Sequence, residues 1–333
     1  MNTIEVSIIV PAYNAENTIP DTLTSLINQD YPPENYEIIV VDDGSTDNTF
    51  NVAKSFEKNY RGILLKVLKK ENGGKGSAQN YGVQNSLGRY ILTIDADSIA
   101  PSNWIKNMVK SLKKCDVVSG IYYAYNPTFI TEKMQNALFI ANFRYSSMSV
   151  VASGTNFGFR REVFYRIGGF NEKTPSTTFD FIERAKKVGF KFCVNRESYV
   201  HTRVHKDVIK LVKQLLRWRE NPLRLYRSEK KILYLFPFLY NSFMSLLLPT
   251  SITLSIAYGN LSILFIGLLF LFILTFFQYS LRLLRLLENS ENTWVFYLIV
   301  YVLFEAFIMK PLYLPYWAYR FFKPRTMGSF RGR

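Results

Sequence analysis

From Ile232 to Leu281 the chain carries no Asp, Glu, Lys, Arg or His, and Leu, Ile and Phe dominate. Roughly twenty apolar residues cross a bilayer as a helix, so this run is long enough for two crossings. The fold must therefore be built for two solvents. Of the 333 residues, 48% are apolar, 16% aromatic and 20% charged, with a net charge of +15, so charge crowds into what remains. Such an excess suits nucleic acid or an anionic membrane surface. Its position favours the membrane: Arg203 to Lys231, directly before the apolar run, holds ten Lys/Arg against Asp207, Glu220 and Glu229. A basic collar beside a span marks the cytoplasmic side.

Within that collar, Val208, Leu211, Val212, Leu215 and Leu216 recur at helical spacing among Lys210, Lys213, Arg217 and Arg219. This predicts a basic amphipathic helix over Asp207 to Arg219, lying on the membrane surface. Beyond it, Ser242–Ala257 or a longer stretch and Leu261–Tyr279 are expected spans, joined by an external turn at Tyr258-Gly259-Asn260. Trp294 to about Met309 is a third apolar segment. A third crossing puts the tail outside, yet Arg320 to Arg333 holds five Lys/Arg and no acid. Pro311 and Pro315 permit a re-entrant ending, so the number of spans and the side of the tail stay open.

The first hundred residues alternate apolar runs with helical patterns. Val6–Val10, Tyr36–Val41, Leu64–Leu68 and Tyr90–Ile94 read as strands, with helices opening near Asn17, near Asp47 (running to about Tyr60) and ending near Ser86. Repeated strand–helix–strand units imply an α/β fold with a doubly wound, mostly parallel sheet. Tyr90–Ile94 stops at Asp95-Ala96-Asp97. Side chains two apart in an extended chain point the same way. The two carboxylates can thus converge at a strand's carboxyl end, where open α/β sheets bind ligands. They repel unless a proton or cation lies between them; a divalent metal bridging to phosphate oxygens is the natural occupant. A solvated turn is the plainer alternative. The sequence opens without a basic, apolar leader, so no secretory signal is expected. Cys115 and Cys193 need not pair, which points to a reducing compartment.

Pro11-Ala12-Tyr13-Asn14, Val41-Asp42-Asp43-Gly44-Ser45-Thr46-Asp47, Asn72-Gly73-Gly74-Lys75-Gly76 and Asp95-Ala96-Asp97 follow in this order. Together they resemble the nucleotide-sugar half of the family 2 inverting glycosyltransferases, which have the GT-A fold. Arg160-Arg161 and Gly168-Gly169-Phe170-Asn171-Glu172 resemble that family's acceptor-side segment, and Gln214-Leu215-Leu216-Arg217-Trp218 its Gln-x-x-Arg-Trp motif. The resemblance covers residues 4 to about 220. It implies that Pro11, Tyr13 and Asn14 line the base pocket and that Asp42 or Asp43 binds base or ribose. It further implies that Asp95 contacts the ribose or donor sugar and that Asp97 holds Mg²⁺ or Mn²⁺. Lys75 would be a counter-charge to the diphosphate. Arg217 and Trp218 would be catalytic residues at the acceptor entrance near the donor diphosphate, and Gln214 would bind the nucleotide sugar. The glycine-rich loop is neither a Walker loop nor a dinucleotide fingerprint.

One segment departs from the family. Inverting transfer needs a base for the acceptor hydroxyl, usually an Asp in a Glu-Asp-x-Asp pattern. Aligned on Arg184 and Gly189, this chain offers Asp180 as the second acid but Thr177-Thr178 where the Glu-Asp pair belongs. Three readings stay open: Asp180 is the base, the acceptor is an anionic phosphate, or the chain is catalytically weak. His201 and His205 are expected to be structural. The expected organisation is a cytoplasmic GT-A domain over 1–202 (donor half about 1–98, acceptor half about 99–202) and a basic interfacial region over 203–231. A transmembrane region over 232–322 with two to three spans and a basic tail over 323–333 follow. The implied activity is transfer of a sugar from a UDP- or GDP-linked donor to a polyprenyl phosphate, glycolipid or lipid-linked oligosaccharide at the cell membrane. A processive polysaccharide synthase and a nucleotide-sugar-binding scaffold are the alternatives.

Overall fold

The structure, a computed structural model, describes residues 4–57, 62–144, 154–174, 176–218, 235–288, 292–313 and 315–316. The chain forms two compact units. The first comprises the residues up to Tyr125 and Ser146–Arg203, the second Asn126–Tyr145 and Val204–Arg325.

The first unit is built on eight strands: β1 (Val6–Ala12), β2 (Tyr36–Asp43), β3 (Leu64–Lys70), β4 (Tyr90–Ile94), β5 (Ser98–Ile99), β6 (Val117–Ala124), β7 (Asn156–Arg160) and β8 (Phe192–Thr202). They lie in the order β3-β2-β1-β4-β7-β6-β8-β5. β1 to β4 are parallel neighbours, as the alternation of strand and helix implies. Beyond β4 the sheet is mixed: β7 runs antiparallel to β4 and β6, whereas β8 is parallel to β6 and antiparallel to β5.

Every residue of β2 and β4 is buried, the signature of strands covered on both faces. Alternate side chains feed two apolar layers. Ile8, Ile38 and Leu92 join Leu23 and Trp104 on one face. Ile9, Ile39 and Ile91 join Phe157, Phe159, Phe170 and Phe181 on the other. The helices of this unit are α1 (Ile19–Ile27), α2 (Thr49–Ser55), α3 (Lys75–Gln84), α4 (Trp104–Leu112), α6 (Arg161–Ile167) and α7 (Thr177–Lys187). α2 stops at Ser55, short of the expected Tyr60; residues 58–61 lie outside the described residues.

The second unit holds α5 (Ile130–Phe139), which runs into a π-helical turn over Ile140–Arg144, and α8 (Val208–Trp218). It also holds α9 (Leu235–Tyr258), α10 (Leu261–Glu288) and α11 (Asn292–Phe304), the last continuing as a π-helical turn over Glu305–Met309. Three stretches, Leu239–Tyr258, Leu261–Ser280 and Thr293–Tyr313, are long and apolar enough to cross a membrane. Within this unit α5 packs along α11.

The cysteines correct an expectation. Cys115 and Cys193 form a disulfide, with Cα atoms 6.1 Å apart across 78 residues of sequence. Cys193 pairs with Val118 in the β6–β8 register, which brings β8 beside the end of α4. Two cysteines that pair carry no argument for a reducing compartment.

Where the sheet changes from parallel to mixed, one side chain ties four elements. Asn156 is fully buried. Its amide donates to the carbonyls of Ile121 and Ser198, at 2.9 and 3.0 Å, and its oxygen accepts from Trp104 Nε1 at 2.9 Å. Gly120 makes room for it: a Cβ there would lie 2.1 Å from the Asn156 amide nitrogen. Asn156→Ala strands three buried polar groups, each worth about 1–3 kcal/mol when unpaired. It should destabilise the first unit by roughly 2–4 kcal/mol, read as a lower midpoint in urea unfolding.

Candidate active site

The carboxyl ends of β1, β2 and β4 and the amino end of α3 supply the polar groups expected from the sequence. Pro11 lies opposite Val41 in the β1–β2 register, and Tyr13 is partly exposed just beyond the strand. Asn14 adopts φ 50°, a conformation Asn tolerates better than most residues. Its amide oxygen accepts from the backbone N–H of Thr46 at 2.8 Å, and its own N–H donates to Ser45 Oγ at 3.0 Å. Asn14 thus fastens the loop after β1 to the loop after β2.

The adjacent acids Asp42 and Asp43 divide clearly. Asp43 accepts from Lys70 Nζ at 2.8 Å and from the backbone N–H groups of Gly73 and Gly74 at 3.0 and 2.7 Å. It is the brace of the glycine loop, and Gly74, at φ 85°, supplies the turn into α3. Asp42 is fully buried, and neither of its carboxylate oxygens has a hydrogen-bond partner. A buried carboxylate without a partner is costly, so of the two it is Asp42 that is free to accept from a ligand.

Lys75 opens α3 and reaches across to β4. Its ammonium forms an ion pair with Asp95 Oδ1 and donates to the Gly154 carbonyl at 2.9 Å. The other Asp95 oxygen accepts from Thr155 Oγ1 at 3.0 Å. Asp97 has weaker support, from Ser98 Oγ at 3.3 Å and Thr202 Oγ1 at 3.4 Å. Burial, and then the negative charge of Asp95, push its carboxyl up to about 6 against the pull of Lys75. Burial and Asp95 also raise the Tyr122 phenol well above its ordinary range. Three further residues at the site carry no motif in the sequence: Tyr122 and Thr202, in β6 and β8, and Thr155, just before β7.

This carboxylate pair fits a hard divalent cation. Among the described residues no group of three or more His, Cys, Asp or Glu could hold a metal alone. Magnesium-like sites use one or two carboxylates and complete their shell with substrate phosphate and water. Two acids on one strand end, one of them pushed up by burial and then by the charge of the other, match that requirement.

The acceptor-side segment has a different character. Asp180 accepts from Arg184 Nε at 2.7 Å, and the same guanidinium donates to the carbonyls of Ile167 and Gly169 at 2.6 and 2.7 Å. Asp180 therefore orients an arginine that clasps the left-handed Gly168-Gly169 turn. Thr178 flanks Gly154 together with Lys75: a Cβ at Gly154 would lie 3.2 Å from its hydroxyl and 3.3 Å from Lys75 Nζ. Thr177 packs against Gly76 in the same way. Arg160 donates to the carbonyls of Leu112 and Lys113, and Arg161 to those of Gly88 and Val83, so each closes a helix end. His201 pairs with Ile99 in the sheet and packs on Tyr123 and Tyr199; burial lowers its pKa. Gln214 is partly buried on α8, in the second unit. The side chains of Arg217 and Trp218 lie outside the described residues.

The raised Asp97 gives a signed test. Its folded value, about 6, exceeds the ordinary 3.8, so the charged form costs stability above pH 6. That penalty shrinks as pH falls through 6 and is gone near 3.8. Asp97→Asn should stabilise the metal-free protein at pH 7.5 by about 2 kcal/mol. The gain should vanish toward pH 4. Mn²⁺ should raise the thermal midpoint of the parent but not of the variant.

Residues 7–168 match the family described as Glycosyl transferase family 2, and residues 90–316 match Glycosyl transferase family group 2. An uncharacterized glycosyltransferase of Rickettsia felis is 37% identical over 185 residues, covering 52% of this chain but only 29% of that protein. A dolichyl N-acetyl-alpha-D-glucosaminyl phosphate 3-beta-D-2,3-diacetamido-2,3-dideoxy-beta-D-glucuronosyltransferase of Methanococcus voltae is 26% identical over 347 aligned positions, covering 97% of this chain and 98% of its own. The mannosyltransferase PcManGT of Pyrobaculum calidifontis, solved with GDP-Man and Mn²⁺, shares the fold, with a TM-score of 0.58 and 19% identity. Those structures cover 93% of this chain and 87% of that one. The strand-end acids, the glycine loop and the family match over most of the chain agree: this protein belongs to the family 2 glycosyl transferases, with a GT-A-like fold.

Proposed function

We propose that this glycosyltransferase is membrane-anchored, metal-dependent and inverting. It moves a sugar from a nucleoside diphosphate donor to a polyprenyl phosphate, with the first unit in the cytoplasm. The observation that carries this reading is Lys75, held by Asp95 at the head of α3, with Asp97 two residues further along the same strand end. In the transfer, an acceptor oxygen forms a bond to the anomeric carbon from the face opposite the leaving group. The bond between that carbon and the diphosphate oxygen breaks, and its electron pair leaves with the diphosphate. The leaving group gains a negative charge, which fixed cations stabilise most in a site shielded from water.

Each residue then has a task. Asp42 accepts from the base or ribose, Asp95 steers Lys75 and meets the donor sugar, and Lys75 faces the diphosphate. Pro11 and Tyr13 flank the base, with Asn14 holding their loop. Asp97 would hold Mg²⁺ or Mn²⁺, which supplies further charge compensation to the diphosphate. The Mn²⁺ and GDP-Man bound by the archaeal mannosyltransferase support that assignment. A lipid-linked acceptor in general is supported by the Methanococcus relative, whose name specifies a dolichyl-linked phosphosugar, and by three apolar helices; the choice of the phosphate itself as nucleophile rests on Asp180.

Asp180 is where a hydroxyl and a phosphate nucleophile make different demands. Its carboxylate already accepts from Arg184 Nε, and that guanidinium is committed to the carbonyls of Ile167 and Gly169, so its place in the structure is that of an arginine's partner. A phosphate oxygen is already anionic and needs no base. Asp180→Asn should therefore lower turnover on polyprenyl phosphate by less than about tenfold, whereas loss of a general base costs about 10²–10⁴-fold. A drop of that larger size, or label found only on hydroxyl acceptors, would refute the phosphate reading. Asp97→Ala should abolish turnover, and titration calorimetry of UDP and GDP should show binding that depends on Mn²⁺. Metal-dependent binding with no turnover on any lipid extract would instead mark a nucleotide-sugar-binding scaffold.

A further inference from the structure

The third apolar stretch, Thr293–Tyr313, matches the other two in length and hydropathy. Were it a full crossing, its two ends would lie at opposite interfaces. Lys310, close to its far end, would then be level with the turn between α9 and α10. The contacts put it elsewhere. Lys310 Nζ is 2.7 Å from Asn241 Oδ1 and 3.0 Å from Gln278 Oε1. Asn241 is the third residue of the first stretch, Leu239–Tyr258, and Gln278 the third from last of the second, Leu261–Ser280. At about 1.5 Å per helical residue, both lie ~3 Å inside the interface at which α9 begins.

Neighbouring contacts agree. Tyr301 packs on Tyr279, in the last turn of the second stretch, with ring centroids 5.7 Å apart. Phe307 stacks on Phe272 at 6.3 Å, eight residues before Ser280 and so ~12 Å in. Ser245 Oγ donates to the Pro311 carbonyl at 3.0 Å; Ser245 is six residues past Leu239, or ~9 Å deep. All of these depths fall within one half of a hydrocarbon core about 30 Å thick. Side chains on a helix lean toward its N-terminus, so the Lys310 ammonium falls back to the interface its helix entered from. Ahead of Tyr301, α11 is covered by protein: Lys133 of α5 lies 5.3 Å from the centre of the Tyr297 ring.

We infer that α11 and its π-helical turn form a half-span, entering one leaflet and leaving on the side it entered. This rests on the membrane residence proposed above. The fully buried Glu305 and Lys310, 3.8 Å apart, then lie toward the interface rather than at the bilayer centre, where ionisable groups cost most. The tail with its five Lys/Arg between Arg320 and Arg333 falls on the side of the basic collar.

Single cysteines added to the full chain in sealed membrane vesicles test this, with a membrane-impermeant maleimide and the bridged parent chain as background. Ser290→Cys and Ser329→Cys should label from one face and Tyr258→Cys from the other. Labelling of Ser329→Cys together with Tyr258→Cys would make α11 a full span and overturn the inference. Release of the protein by alkaline carbonate would overturn the membrane residence beneath it, a distinct result.

Discussion

Two carboxylates at the end of one strand cannot both stay charged and buried unless something opposes them. Asp95 and Asp97 sit at the end of β4, and the opposing charge is Lys75, the first residue of α3. For Lys75 to arrive there, the glycine loop before it must turn sharply, and Asp43 holds that turn by two backbone bonds and one ion pair. For Asp43 to do so, β2 must lie in register beside β1 and β3. The sheet, the loop and the acid pair form one chain of dependencies. Its least supported members are Asp42, whose carboxylate has no hydrogen-bond partner, and Asp97, which has two long ones.

Much of the parallel half of the sheet was legible in the sequence because its signals are local. The strands of the parallel half are continuous apolar runs, and their polar ends follow at once. The ambiguity between Asp42 and Asp43 was not legible. Adjacent residues on a strand point to opposite faces, and only the position of Gly73 and Gly74 shows which acid is engaged. Asp180 was legible as an acid and not as an arginine's partner, because the carbonyls of Ile167 and Gly169 that fix Arg184 carry no sequence signal. Tyr122, Thr155 and Thr202 reach the site through the mixed half of the sheet, whose strand order no local pattern reveals. The disulfide was likewise a product of the β6–β8 pairing.

The apolar helices of the second unit show the reverse. Composition located the apolar helices well, because twenty residues without charge have few other uses. Depth was the hidden variable. Hydropathy weighs Thr293–Tyr313 with the two stretches before it, whereas a single lysine, read by its partners on α9 and α10, distinguishes them. The polar residues of α5 concealed its apolar contacts for the same reason: Met134, Ala137, Leu138 and Phe139 are buried beside Gln135 and Asn136.

The path of the chain between its two units has a further consequence for modularity. It leaves the first unit after Tyr125, returns at Ser146 and leaves again after Arg203. Cutting the gene after Arg203 would therefore not yield a free catalytic fragment. Such a fragment would keep α5 while discarding α11, the helix it packs on. The two units are thus interleaved in sequence and must be inherited, expressed and recombined together.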